Sequence, residues 1–273
     1  MSKTADIKRV ADNFHRHAAE YDRYASVQKL VVSRLLQLVD SHLEGAPENF
    51  LDIGCGTGNL LNALGKRFPA SQPFGIDLAF NMALAASANC GPEAVIINAN
   101  AEELPFAGSG FDLIVSASTF QWINNLDLCL AECYRTLKDG GLFCAAFFGG
   151  KTLHELHQSY RNTIEKYFGA NDERIARLHK FMKVDDVRPL LENSGFSQVM
   201  VFSEIETEYH DDVAGLLRSI KKIGAATANS HAAGNGLGWR GVIAEMQDHY
   251  TKKYQVAGRI PATYEVVYLL ARK

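Results

Sequence analysis

Residues 49–59 read Asn-Phe-Leu-Asp-Ile-Gly-Cys-Gly-Thr-Gly-Asn. A short apolar strand runs directly into three alternating glycines, Gly54, Gly56 and Gly58, and a helical pattern starts at Asn59. Glycine admits positive φ and lets a ligand approach the backbone without a Cβ in the way. Such a turn after a strand builds a nucleotide-type site at the carboxyl edge of a parallel sheet. The spacing is Gly-x-Gly-x-Gly, not the dinucleotide Gly-x-Gly-x-x-Gly, and Asp52 stands two residues before the first glycine. A carboxylate there opposes a diphosphate and suits a cationic ligand.

Alternating strands and helices surround this turn. Strands are expected at 49–53, 73–77, 94–98, 111–116 and 141–148, with helices near 58–67, 79–88 and 126–138. Two helical stretches, about 4–18 and 26–43, precede them. This alternation predicts parallel βαβ units with right-handed crossovers. Pro69, Gly91-Pro92 and Asp139-Gly140-Gly141 mark breaks. Residues 151–194 read as mostly helical, and 197–206 and 263–270 as two further strands. Between those strands lie two helical patterns, about 211–224 and 240–254, joined by a small, polar stretch from Ala226 to Gly238 that reads as a mobile loop. A long insertion at a sheet end is commonly a lid or a partner surface. At 273 residues the chain is expected to form one domain.

Composition narrows the function classes. A net charge of -3 gives no general attraction to nucleic acid. The five cysteines (Cys55, Cys90, Cys129, Cys133, Cys144) form no Cys-x-x-Cys pair, as expected of reduced thiols in a cytoplasmic protein. Cys129 and Cys133, four apart on a helix, fit a core face better than a metal site. His154 and His157 lack a third ligand at clear spacing, so no metal is expected. The start has no signal-peptide pattern, and no apolar run approaches the ~18 residues of a membrane span.

Further polar residues sit where this sheet type places ligands. Asp77 ends the second strand, 19 residues after Gly58, where an acidic group meets ribose hydroxyls; a helix cap is the alternative. Asn100-Ala101-Glu102 follows the third strand and offers hydrogen bonds to an adenine edge.

The ordered set Leu51–Gly58, Gly75-Ile76-Asp77, Asn100-Ala101-Glu102 through Pro105-Phe106, and Phe111-Asp112 resembles class I S-adenosylmethionine (SAM) methyltransferases. The resemblance covers about residues 45–148. It implies an α/β fold, a Rossmann-like seven-stranded sheet with the last strand antiparallel. N-terminal helices over about 1–45 would cover a SAM-binding core at 46–150. The C-terminal half, 151–273, would carry a helical lid (about 209–262) between the last two strands. SAM is the implied cofactor, with Asp52 near its ammonium, Gly54, Gly56 and Gly58 around its methionine end, Asp77 at the ribose, Leu78 as a further contact, and Asn100 and Ala101 at the adenine. Gln28 and Ser116 complete the implied cofactor contacts. This family usually has Asp where Asn100 stands; Asn still accepts a hydrogen bond, without charge assistance.

The flanks are more specific. Phe14, Ala18, Tyr21-Asp22, Ala25 and Gln28 near the start, Phe120-Gln121-Trp122, Phe147–Tyr160, Arg218-Ser-Ile-Lys-Lys-Ile-Gly-Ala225 and Ile260–Tyr268 together resemble the malonyl-acyl-carrier-protein O-methyltransferases of biotin synthesis. The resemblance implies methylation of the free carboxyl of a malonyl thioester on acyl carrier protein or coenzyme A. Other small acids, a quinone precursor, or a non-catalytic SAM-binding assembly role remain open alternatives.

The chemistry sets what the residues must supply. A malonyl carboxylate, with a pKa near ~4, is already a nucleophile at neutral pH, so no general base is needed. Alignment, exclusion of water and a grip on the carboxylate are needed instead. Arg218, Lys221, Lys222 and Arg240 are the candidate cations, with a solvated basic face as the alternative, and Tyr21 is the N-terminal candidate, with plain packing as its alternative. Trp122 is either an acceptor-pocket wall or a core aromatic. The basic residues of the insertion, with Lys252, Lys253 and Arg259, would also offer an acidic carrier a local basic patch.

Overall fold

The computed structural model describes residues 7–176, 178–225 and 237–273. Seven strands form one sheet in the order β3-β2-β1-β4-β5-β7-β6. They are β1 (Asn49–Ile53), β2 (Gln72–Asp77), β3 (Val95–Asn98), β4 (Phe111–Ala117), β5 (Leu137–Phe148), β6 (Ser197–His210) and β7 (Ile260–Arg272). The first five run parallel, and β7 lies antiparallel between β5 and β6.

Both faces of the central strands are buried, as expected of parallel strands covered on each side. Leu142 to Phe147 of β5 is continuously buried. On one face, α2 (Ser26–His42) lays Val27, Val31, Leu35 and Leu38 against the sheet. Their spacing of four, four and three residues keeps them on one helical stripe. The same core cluster takes in α3 (Asn59–Arg67) and residues of α9 (Val213–Lys222) and α10 (Leu237–Tyr254). On the opposite face α5 (Leu126–Thr136) and α8 (Val184–Asn193) supply Cys129, Leu130, Cys133, Val187 and Leu191. Cys129 and Cys133 thus belong to the core, and all five cysteines are free thiols. α1 (Ile7–Tyr24), α4 (Phe80–Asn89), α6 (His154–Phe168) and α7 (Glu173–Ala176) complete the described helices.

The expected boundaries shift in two places. Asp139-Gly140-Gly141 does not separate helix from strand. Helix α5 stops at Thr136, and β5 begins at once with Leu137 opposite Phe111, then resumes at Leu142 opposite Leu113. The glycines form the bulge between these pairs, with Gly140 at φ 76°. Strand β6 continues past Glu206 to His210, because the antiparallel ladder with β7 runs on to Ile260. Its alternation of exposed and half-buried residues is that of an edge strand, so its charged residues hide it in the sequence. The stretch expected to be a mobile loop falls mostly outside the described residues.

Candidate functional site

The parallel strands end on one edge, and the turn after β1 is shaped there by its glycines. Gly54, Gly56 and Gly58 all have positive φ, at 69°, 55° and 88°. A Cβ on Gly54 would lie 2.1 Å from Thr119 Oγ1, and one on Gly58 2.6 Å from Cys90 Sγ. Only Gly56 has no protein atom within 4 Å of that position. Gly54 and Gly58 therefore allow segments of the protein to approach closely, whereas Gly56 leaves an open space. The turn is fixed from below by Cys55 N–H donating to the Ile76 carbonyl at 2.9 Å.

Asp52 and Asp77 flank this turn. Asp52 is 1% exposed, and neither carboxylate oxygen makes a well-formed hydrogen bond. Burial, with the nearby charge of Asp77 second, pushes its pKa up to about 8. Such a group needs a cation to stay ionised. Asp77 accepts from Gly56 N–H at 2.9 Å and from Ala79 N–H at 2.8 Å. Burial raises its pKa to about 6, with those two N–H groups opposing the rise. It therefore braces the glycine turn as well as facing a ligand site.

Three cavities meet here. One of about 310 Å³ is lined by Asp52, Gly54, Gly56, Gln28 and Lys29. A second of about 110 Å³ is lined by Asp77, Leu78, Asn100, Ala101 and Ile123. A third of about 430 Å³ extends beneath α6, α9 and α10. Tyr21 and Ser118 line all three. Asn100 Oδ1 accepts from Glu102 N–H at 3.0 Å, which turns the chain so that Asn100 and Ala101 both edge the second cavity.

Helix α1 roofs the junction and is fastened at two points. Asp22 Oδ1 accepts from Thr57 Oγ1 at 2.9 Å and from Asn59 Nδ2 at 2.6 Å. Asn81 Nδ2 donates to the His15 carbonyl at 3.0 Å. The clasp joins the roof to the glycine turn itself. Asp22→Ala is expected to weaken binding of the ligand under α1 by about tenfold, mainly through faster release, since it removes two hydrogen bonds to a carboxylate. Stopped-flow dissociation kinetics check this; an unchanged release rate would mean that α1 is not the gate.

Rings continue from the junction into the third cavity. Phe14 packs edge-on against Tyr21 and Trp122, at centroid distances of 6.3 and 5.8 Å. Trp122 lies 4.9 Å from His179, which lies 4.5 Å from Phe181. Trp122 lines both the second and third cavities, so it is a pocket wall. His179 and His157 line the third. Burial lowers both pKa values, His179 to about 4. Both imidazoles are neutral at physiological pH.

Not every expected residue reaches the site. Gly58 caps α3 and packs on Cys90 without lining a cavity. Ser116 is fully buried, and its Oγ donates to the Ile53 carbonyl at 2.8 Å, tying β4 to β1. Ser118 takes the place expected for it: its φ is 58°, and its buried Oγ has no partner. Arg218 is 72% exposed and faces Asp212 at 3.9 Å. Lys222 and Arg240 are not among the lining residues either. The reason is the phase of the helices: α9 turns Leu217 and Ile220 to the cavity and α10 turns Ile243 and Met246, which leaves Arg218 and Arg240 outward. Sequence inspection missed Arg174, His179 and Ser118. Only Ser118 had a signal, its position just beyond the carboxyl end of a parallel strand.

These residues fit SAM on grounds internal to the structure. The unpartnered buried carboxylate of Asp52 matches an ammonium, the space at Gly56 admits a ligand against the backbone, and Asp77 stands at the end of β2. Together with the sheet order and its reversed seventh strand, they define a class I SAM-dependent methyltransferase. Residues 51–145 match a family model described as a methyltransferase domain. The chain is 44% identical over 272 residues to the malonyl-[acyl-carrier protein] O-methyltransferase of Geobacter sulfurreducens, spanning 98% of this chain and 99% of that one. It is 33% identical to the biotin biosynthesis bifunctional protein BioHC of Teredinibacter turnerae, spanning 97% of this chain and 47% of that one. The chain belongs to the malonyl-[acyl-carrier protein] O-methyltransferase family. The fold is shared with Haemonchus contortus phosphoethanolamine N-methyltransferase 2, solved with SAM, at a TM-score of 0.59 and 17% identity, covering 95% of this chain and 57% of that one.

Proposed function

We propose that this protein methylates the free carboxylate of a malonyl thioester, carried on acyl carrier protein, to the methyl ester that starts pimeloyl synthesis for biotin. One observation carries the reading: the 44% identity to a malonyl-[acyl-carrier protein] O-methyltransferase runs the whole length of both chains, and a cavity that shares Tyr21 and Ser118 with the donor cavities, apolar but for Arg174 and a few polar groups, leaves room for such an acceptor.

Asp52 would hold the ammonium of SAM, the Gly54–Gly56 backbone its methionine end, Asp77 the ribose, and Leu78, Asn100 and Ala101 the adenosine. Bound SAM supplies an electrophilic methyl group on a sulfonium. The chain's own task is to present a carboxylate oxygen in line and keep water away. Tyr21 serves the first need. Burial drives its pKa well above the ordinary phenol value, so it is a hydrogen-bond donor and not a base. Phe14 and Trp122 serve the second by closing the junction between the cavities. Tyr21→Phe is expected to lower kcat by about 100-fold, the scale of removing one aligned donor at a reacting oxygen. Calorimetric SAM affinity should change little. Equal loss of both would make Tyr21 a packing residue.

Of the two roles expected of them, the outward cations keep the second, a basic patch for an acidic carrier. Arg218 and Lys221 lie on α9 and Arg240 on α10, helices whose inner faces line the acceptor cavity. Their charge, beside the cavity mouth, supports a role in meeting an acidic carrier as its prosthetic arm enters.

Mass spectrometry of malonyl-acyl carrier protein incubated with SAM tests the reading, with acetyl-acyl carrier protein as the control lacking the free carboxyl. A methyl mass gained by the malonyl form alone is expected. No transfer, with SAM binding established separately, would overturn it.

A further inference from the structure

Among the described residues, Arg174 carries the only fixed charge lining the acceptor cavity. It lies on the short helix α7, between α6 and α8. Its backbone N–H donates to Asp172 Oδ1 at 2.9 Å, and its Nη1 pairs with Asp172 Oδ2 at 3.1 Å. The guanidinium carbon stands 4.0 Å from the Phe168 ring centre and 5.7 Å from that of Trp239. The group is therefore held by an ion pair and by two aromatic rings. No other hydrogen bond to the guanidinium is present among the described residues, and its fork has five N–H donors.

A carboxylate entering this cavity gives up its hydration and needs a cation to offset the loss. Neither imidazole supplies one, and Arg218, Lys222 and Arg240 do not line the cavity. We propose that Arg174 is the residue that binds the carboxylate of the acceptor, the inference resting on the malonyl-thioester reading above. Guanidinium and carboxylate match geometrically, two N–H groups to two oxygens. Asp172 has a purpose in this arrangement. An unopposed guanidinium would hold the carboxylate so firmly as to quench its nucleophilicity, and the resident ion pair tempers that grip.

The test uses the full chain with malonyl-N-acetylcysteamine thioester, an acceptor with no phosphate and no carrier protein. Wild-type turnover is read first; a wild type that methylates no malonyl thioester overturns the functional reading and this inference with it. With an active wild type, Arg174→Gln is expected to raise KM by about 50-fold or more, the scale of truncating one partner of a desolvated charge pair. Arg174→Lys should recover part of the loss. The methyl-ester product has no carboxylate, so its inhibition constant should be the same in wild type and Arg174→Gln. A structural role would instead weaken substrate and product alike. An Arg174→Gln enzyme with wild-type KM for the small thioester, or one that loses product affinity in parallel, overturns the assignment. If only malonyl-acyl carrier protein is affected, Arg174 serves the phosphate of the prosthetic arm, and the carboxylate assignment falls.

Discussion

Asp52→Asn is expected to lower SAM affinity by at least about 100-fold and, at the same time, to stabilise the ligand-free protein at pH 8, since a buried charge without its partner is strongly unfavourable. Both effects have one cause. The Asp52 carboxyl is 1% exposed and makes no well-formed hydrogen bond, and burial and the charge of Asp77 push its pKa up to about 8 against the weaker opposing pull of the Leu61 N–H. Its folded pKa lies above the unfolded value, so the folded state binds more protons in the interval between them. Stability therefore falls as pH rises from the ordinary carboxylate range through about 8. Asparagine is neutral throughout, and the difference in melting temperature between variant and wild type should be largest at pH 8 and vanish toward pH 4. Binding runs the other way. At pH 7 most ligand-free molecules carry a protonated Asp52, and an ammonium can pair only with the ionised form. The SAM dissociation constant should fall by about tenfold or more between pH 6 and 7, as a proton is released on binding and with Asp77, raised to about 6, adding to the slope, and should reach its minimum near pH 8, above which the α-amino group of SAM itself loses its proton. Calorimetry in buffers of different ionisation enthalpy measures the proton released on binding. A flat pH profile in the wild type, or a variant destabilised at pH 8, would remove Asp52 from the ammonium site.

The residues that edge the two smaller cavities were legible in sequence because their geometry is local. Asp52, Gly54, Gly56, Asp77, Leu78, Asn100 and Ala101 each lie within a few residues of the carboxyl end of β1, β2 or β3, and parallel pairing aligns those ends on one edge. Gly58 and Ser116 share that neighbourhood but serve packing and strand pairing, and nothing in their spacing distinguishes the two uses. The lining of the third cavity is not local. Tyr21 comes from α1, His157 from α6, Arg174 from α7 and Met246 from α10, and only tertiary packing brings them to one cavity. Its cation stands on a four-residue helix with no recognisable motif. The basic run at Arg218–Lys222 drew attention by charge alone. The apolar phase of the same segment, Leu217, Ile220 and Ile223, carries the better information: it names the face turned inward and so puts the cations outside.

Gly56→Ala should leave the protein folded and abolish measurable SAM binding, whereas Gly54→Ala should lose both. The two glycines are two residues apart and both adopt left-handed backbone, so each alanine carries a strain of about 1 kcal/mol, expected to lower the melting temperature by a few degrees. They differ in what a methyl would meet. At Gly54 it would overlap Thr119, whose Oγ1 also donates to the Gly54 carbonyl, so the β4 loop would have to move. At Gly56 no protein atom lies within 4 Å, yet the residue lines both donor cavities. The protein thus has no packing reason to exclude a side chain at Gly56. The remaining demands are the positive φ and the ligand. Gly56→Asn separates them, because asparagine tolerates left-handed backbone better than alanine and intrudes on the ligand space more. It should melt at or above Gly56→Ala and bind SAM no better. Recovery of SAM affinity in Gly56→Asn would assign the glycine to backbone geometry alone and move the methionine end of the ligand away from this turn.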